Sequence, residues 1–133
     1  MTITPDLDPV RKFHEHLNNG QADDVMALAT DDVAIGGPRG TGHGRQLLHE
    51  WVGRASITMQ PVRWFADNET VVVEQVAEWR GADGAVTSSQ RLATAFTVRD
   101  GKLAGIYRYG NIGEALTTSG LDETHEIAAP GAR

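Results

Sequence analysis

Apolar positions along the chain change their period near residue 56. Before it they recur every three or four residues, and after it they alternate. Val10, Phe13, His14 and Leu17 fall at i, i+3, i+4 and i+7, which is one stripe of a helix. Asp8 reads as its N-cap, with Pro9 in the first turn, where a missing N–H costs nothing. Gly20, after Asn18 and Asn19, suits the left-handed position that ends a helix. A short second helix over roughly 22–29 carries Val25 and Leu28, and "DDVAI" then reads as a brief strand. Leu47, Leu48, Trp51, Val52 and Ala55 place a third amphipathic helix at about 44–55.

From Ser56 onward four segments are rich in β-branched and aromatic residues: "ITMQPVRWFA", "ETVVVEQVAEWR", "VTSSQRLATAFTVR" and "KLAGIYRYGN". Asp67-Asn68, Gly81-Ala82-Asp83-Gly84 and Asp100-Gly101 separate them with good turn chemistry. The expectation is an antiparallel meander, with Pro61 marking a bulge or an unpaired edge position. Helices followed by a curled sheet give an α+β domain in which the sheet can bend round a helix and leave a cone-shaped pocket. The segment after Leu116, "TTSGLDETHEIAAPGAR", holds no sustained period, so 1–116 is read as the domain and 117–133 as a partly disordered tail.

Composition narrows the function classes. A chain of 133 residues suits one domain, and with no cysteine it has neither disulfide nor thiolate ligand. A net charge of -6 argues against a nucleic-acid partner, which usually needs a basic face. No basic segment followed by an apolar run opens the chain, and no apolar stretch approaches the ~20 residues that span a bilayer. A cytoplasmic protein without membrane contact is expected.

Gly36, Gly37, Gly40, Gly42 and Gly44 crowd one short stretch before the third helix. A phosphate-cradling loop needs G-x-x-x-x-G-K-[ST], and although Gly37 and Gly42 have the spacing, His43 and Gly44 follow. No long apolar strand precedes the stretch, and its bases are Arg39 and Arg45 alone. The glycines are better read as letting the chain pass tightly over the mouth of the cone. No metal site emerges either: "HEW" has Gly53 where a second histidine would stand, and His14 and His16 do not share a helix face.

"VRKFHEHLNNGQADDVMALATDDVAIGGP…GR..LHEW" and the closing "FTVRDGKLAGIYRYGN" together resemble the SnoaL-like and nuclear-transport-factor-two-like superfamily. The resemblance covers residues 9 to about 116 and implies a cystatin-like roll: a cone-shaped, curved antiparallel sheet wrapped around N-terminal helices. It specifies fold better than chemistry, because this fold hosts isomerases, cyclases, epoxide hydrolases and binding modules. Ketosteroid-isomerase-like members use a tyrosine on the first helix and an aspartate before the proline; those positions resemble Phe13 and Gly37 here, with the second acid near Thr94. The Arg-x-Asp of limonene-epoxide-hydrolase-like members matches Gln75 and Ala77, and the late aspartate of polyketide cyclases is replaced by Asn111. Each set of family carboxylates is missing.

If the resemblance fixes the inner face, Val71, Val73, Gln75 and Ala77 point inward, Glu74 and Glu78 outward. Leu92, Thr94, Phe96 and Val98 line the cavity from the next strand, and Ile106, Arg108 and Gly110 from the last. Outward Ala93, Ala95 and Thr97 suit the sheet-to-sheet homodimer common in the superfamily. An inward Arg108 needs a carboxylate, a carbonyl or a ligand anion. A one-residue slip would instead pair it with Glu74 or Glu78 outside. His14 is either a general base or a satisfied core or interface residue, Gln75 a polar anchor with Arg108, Thr94 or a ligand carbonyl as partner, and His16 and His49 are solvated. Phe13, Leu17, Ile35, Gly37, Trp51, Val73, Thr94, Phe96, Ile106 and Asn111 are the expected ligand contacts, and His14, Gln75 and Arg108 the candidate catalytic groups. No cofactor is implied. The implied function is binding of a small, largely apolar molecule, with isomerisation, cyclisation or hydration as the catalytic options. The alternatives are a non-catalytic binding module and a protein-interaction domain.

Overall fold

In the computed structural model, residues 5–37, 40–54 and 56–130 are described. Helix α1 runs over Asp8–Asn18, α2 over Ala22–Ala27 and α3 over Arg45–Arg54. Leu7 is the N-cap of α1, and the Asp6 carboxylate accepts from the Asp8 N–H at 3.0 Å, so the cap expected at Asp8 moves back along the chain. The α1 stripe is buried as its spacing requires: Val10, Phe13, His14 and Leu17 are each under 5% exposed. Ala55, expected in the third helix, lies outside the described residues.

Among the described residues seven strands form one open sheet: β1 (Ala29–Gly37), β2 (Gly40–His43), β3 (Ile57–Asp67), β4 (Thr70–Arg80), β5 (Val86–Arg99), β6 (Lys102–Tyr109) and β7 (Glu126–Ile127). Their order is β2-β1-β6-β5-β4-β3-β7. β3 to β6 are the antiparallel meander, and the register of β3 on β4 shifts between Pro61 and Arg63, the bulge that proline demands. The β5–β6 hairpin closes through Asp100 (φ 54°) and Gly101 (φ 75°), a two-residue turn with both residues left-handed. The expected all-antiparallel sheet is corrected at one place: β1 lies parallel to β6, pairing Ile35 with Ile106, so the sheet is mixed. The expected brief strand is a nine-residue one, and the glycine stretch supplies its antiparallel partner β2.

The sheet has two covered faces. Inside, Val71, Val73, Ala77, Leu92, Phe96 and Ile106 pack with α1, α2 and α3. Outside, a fourth helix, α4 (Ile112–Ser119), lays Ala115 and Leu116 on Phe65, Val72, Ala93 and Ala95. Beyond it, a single 3-10 turn at Glu123–His125 leads into β7, which pairs with Trp64 and Phe65. The segment read as a tail is thus structured as far as Ile127. Ala93 and Ala95, expected at a dimer face, instead receive α4 of their own chain. Arg63 anchors the 3-10 turn and β7 through Glu123 and Glu126, which raises its own pKa and lowers that of Glu126. Glu74, nearly buried on this outer side, faces Arg63 at 4.0 Å and Arg91 at 3.7 Å.

Candidate functional site

A cavity of about 670 Å³ opens between the inner sheet face and the helices. That volume lies within the usual range for small-molecule sites. α1 contributes Phe13, and α3 contributes Leu47, Leu48 and Trp51, the inner face of its helical stripe. The β1–β2 hairpin supplies Ile35, Thr41 and the backbone of Gly36, Gly37, Gly40 and Gly42. Met59 of β3, Thr94 of β5 and Ile106 and Arg108 of β6 complete the wall. Pro38 and Arg39, between the two hairpin strands, lie outside the described residues.

One of these glycines has a packing reason. A Cβ on Gly36 would stand 2.7 Å from the Tyr107 ring, so that position needs a bare backbone, whereas one on Gly42 would meet only a terminal methyl of Leu47, which can swing aside. Gly37 has nothing within 4 Å of where a Cβ would be, and its lack of a side chain leaves that end of the cavity wide.

Arg108 lines the cavity and also borders a smaller hollow with Tyr109 and Glu114, without an ion pair to that carboxylate. The outer carboxylates are engaged elsewhere: Glu74 pairs with Arg63 and Arg91, and Glu78 with Arg80. Among the described residues the Arg108 side chain has neither a hydrogen bond nor an ion pair. Its cross-strand partner is Thr94, so the two side chains stand side by side on one face. Otherwise the described wall is mainly apolar and holds no carboxylate and no imidazole. The described residues also contain no cluster of His, Asp and Glu able to hold a metal ion.

Behind this wall lies a buried polar chain. His14 Nδ1 is 2.8 Å from the Val10 carbonyl, which can only accept, so Nδ1 carries the proton. Its Nε2 is then an acceptor and receives the Gln75 side-chain N–H at 2.8 Å. The Thr94 hydroxyl donates to Gln75 Oε1 at 2.9 Å. Burial lowers the His14 pKa to about 4, the Val10 bond opposing that shift, so the ring is neutral at pH 7 as the chain requires. Phe13, Trp64 and Phe96 surround the ring at centroid distances of 5.5–5.8 Å.

Of the expected ligand contacts, Phe13, Ile35, Gly37, Trp51, Thr94 and Ile106 line the cavity together with Arg108. Leu17, Val73 and Phe96 sit in the closed core, and His14 and Gln75 lie behind the wall. The basic nitrogen of His14 is occupied by Gln75, which leaves it no lone pair for a substrate proton. Asn111 is exposed and caps α4, its side-chain oxygen accepting the Glu114 N–H at 2.8 Å; Gly110 is exposed past the end of β6. Leu47, Leu48 and Met59 were not singled out, although the first two belong to the α3 stripe that already pointed to Trp51. Thr41 and Gly42 carry no signal beyond their neighbouring glycines.

The model of the SnoaL-like domain family matches residues 10–106. No curated protein sequence matches. Among solved structures, the chain is similar to an NTF2-like protein of unknown function from Cytophaga hutchinsonii (13% identity, TM-score 0.68, 86% of this chain and 98% of that one). It is likewise similar to a putative polyketide cyclase from Xanthomonas campestris (21%, 0.67, 83% and 93%). A third is the epoxide hydrolase/cyclase-like enzyme SalBIII, of pyran ring formation in salinomycin (19%, 0.69, 80% and 90%). At these identities the likeness is one of fold. With the family match over most of its length, the chain belongs to the SnoaL-like domain family.

Proposed function

We propose that this protein binds a small, largely apolar molecule in the cone and holds an anionic or carbonyl oxygen of it on Arg108. The observation that carries this reading is a guanidinium in a mainly apolar wall with no described partner. Arg108 is half-buried, so its guanidinium takes its acceptors from water or from a ligand, and a planar donor fork matches a carboxylate or enolate. Phe13 and Trp51 provide aromatic surface for a flat ligand body.

The absence of a carboxylate or an accessible imidazole from the described wall favours binding without general-base catalysis. A catalytic version of the same reading draws on the cyclase and hydrolase names of the structural neighbours. In it, Arg108 stabilises a developing oxyanion, and the proton acceptor is water or the substrate itself. A homodimer and a cytoplasmic location belong to this reading as well. The dimer face would be what α4 leaves of the outer sheet, with half-buried Thr97, Tyr107 and Tyr109, in place of Ala93 and Ala95.

The test is a tryptophan-fluorescence titration with 2-naphthoate and its methyl ester, on the wild type and Arg108→Met. The reading expects 2-naphthoate to bind the wild type and to lose about tenfold or more in the variant, with the ester much less affected. Equal loss for acid and ester, or no loss for either, would remove Arg108 as the anchor.

A further inference from the structure

The buried chain behind the wall has a direction. The Val10 carbonyl cannot donate, so His14 Nδ1 must, and a neutral ring then leaves Nε2 only as an acceptor. Gln75 must therefore turn its N–H to His14 and its oxygen to Thr94. The opposite amide orientation would present an oxygen to Nε2 and needs a doubly protonated ring. His14 is 4% exposed among Phe13, Trp64 and Phe96, surroundings that disfavour an imidazolium. With that orientation fixed, the single hydroxyl proton of Thr94 is committed to Gln75. What remains on the Thr94 oxygen is lone pairs.

We propose that His14 and Gln75 are positioning residues that make Thr94 a hydrogen-bond acceptor only, so that the cavity selects ligands carrying an O–H or N–H donor beside the anionic oxygen held by Arg108. This deepens the Arg108 reading and rests on it. Thr94 and Arg108 are direct cross-strand partners, so their Cβ atoms stand roughly 5 Å apart. One edge of a ring system can meet both, presenting an acid or enolate oxygen to the guanidinium and a hydroxyl to the threonine. The ligand class is a flat, apolar hydroxy acid or its enol equivalent. An ether or ketone at the second position would set lone pair against lone pair. Thr41 and Trp51 also lie on the wall; the Trp51 indole N–H can only donate, and no described side-chain partner fixes the polarity of the Thr41 hydroxyl.

The test uses 2-naphthoate, its 3-, 5- and 6-hydroxy derivatives and the matching O-methyl ethers, titrated calorimetrically at pH 7.5. At least one hydroxy acid should bind the wild type about tenfold more tightly than its ether. Thr94→Val should bring that ratio within about twofold, each affinity being read against the variant's own affinity for unsubstituted 2-naphthoate. Gln75→Leu, which frees the hydroxyl proton, should narrow or invert the ratio, and Thr94→Val carries the test if Gln75→Leu does not fold. Without ligand, nitrogen-15 NMR should find the His14 ring protonated on Nδ1 and bare on Nε2, a readout that packing alone does not set. A ring protonated on Nε2 overturns the relay. Hydroxy acids and ethers that bind alike, while Arg108→Met still weakens both, overturn the role of Thr94 and leave the Arg108 reading standing. Naphthoates that bind without regard to Arg108, or not at all, overturn that reading and this inference with it.

Discussion

Lowering the pH from 7.5 to 4.5 should destabilise the wild type through His14 before the carboxylates contribute. In the unfolded chain the imidazole titrates near 6.5, and in the folded protein burial lowers its pKa to about 4. The folded state therefore resists a proton that the unfolded state accepts. Stability is intact above 6.5, falls as the pH drops toward 4 and levels off below that. The gap corresponds to about 3 kcal/mol in full, of which about 2 kcal/mol is lost by pH 5. Asp122 and Glu126, whose pKa values are lowered by Thr124 and Arg63 respectively, lose their contribution only as the pH falls through the carboxylate range. Urea unfolding followed by tryptophan fluorescence, at half-unit steps of pH, measures the profile for the wild type and for His14→Met. The variant leaves the Gln75 N–H without its acceptor, which costs about 1–3 kcal/mol at every pH. The difference between the two curves should shrink by about 2 kcal/mol between pH 7.5 and pH 5 as the wild type alone weakens. Parallel curves, or a difference that grows on acidification, would show that His14 does not sit neutral in the core.

Other outcomes follow from single residues. Asn111→Ala should cost about 1 kcal/mol in urea unfolding by removing the α4 cap, with 2-naphthoate affinity unchanged. A fall in affinity would return Asn111 to the site. Gly105→Ala should cost about 1–3 kcal/mol, because its Cβ would stand 2.8 Å from the Tyr107 ring and 3.1 Å from Thr97 Oγ1. A neutral result in the same assay would mean that the ring can move. Arg63→Ala should release the chain around Glu123 and Glu126, read as faster proteolysis after Leu121 than in the wild type.

The sequence made the inner scaffold legible because two periodicities carried it. The α1 stripe gave Phe13 and His14 their burial, and the alternation of β4 and β5 put Gln75 and Thr94 on one face. The outer layer was harder to see. α4 offers only Ile112, Ala115 and Leu116 as apolar positions, mixed with Gly113 and threonines, and its cap Asn111 reads in the sequence as the end of the last strand of the meander. The β1–β6 pairing joins segments about 70 residues apart, which no local pattern records. β2 was hidden because its glycines read as loop, although Gly40 and Gly42 belong to the hairpin strand that pairs with β1. Thr94 was foreseen as a partner of Gln75. His14 as the other partner was not, since alternation assigns a face but not the depth at which a helix side chain meets it.

The proposed anchoring of a ligand oxygen by Arg108 inside the cone can be seen in a crystal structure of the protein grown with 2-naphthoate. The carboxylate is expected on the Arg108 guanidinium and the rings against Phe13 and Trp51. A naphthoate seated elsewhere, or a cone closed by its own side chains with Arg108 turned to the outer carboxylates, would contradict it.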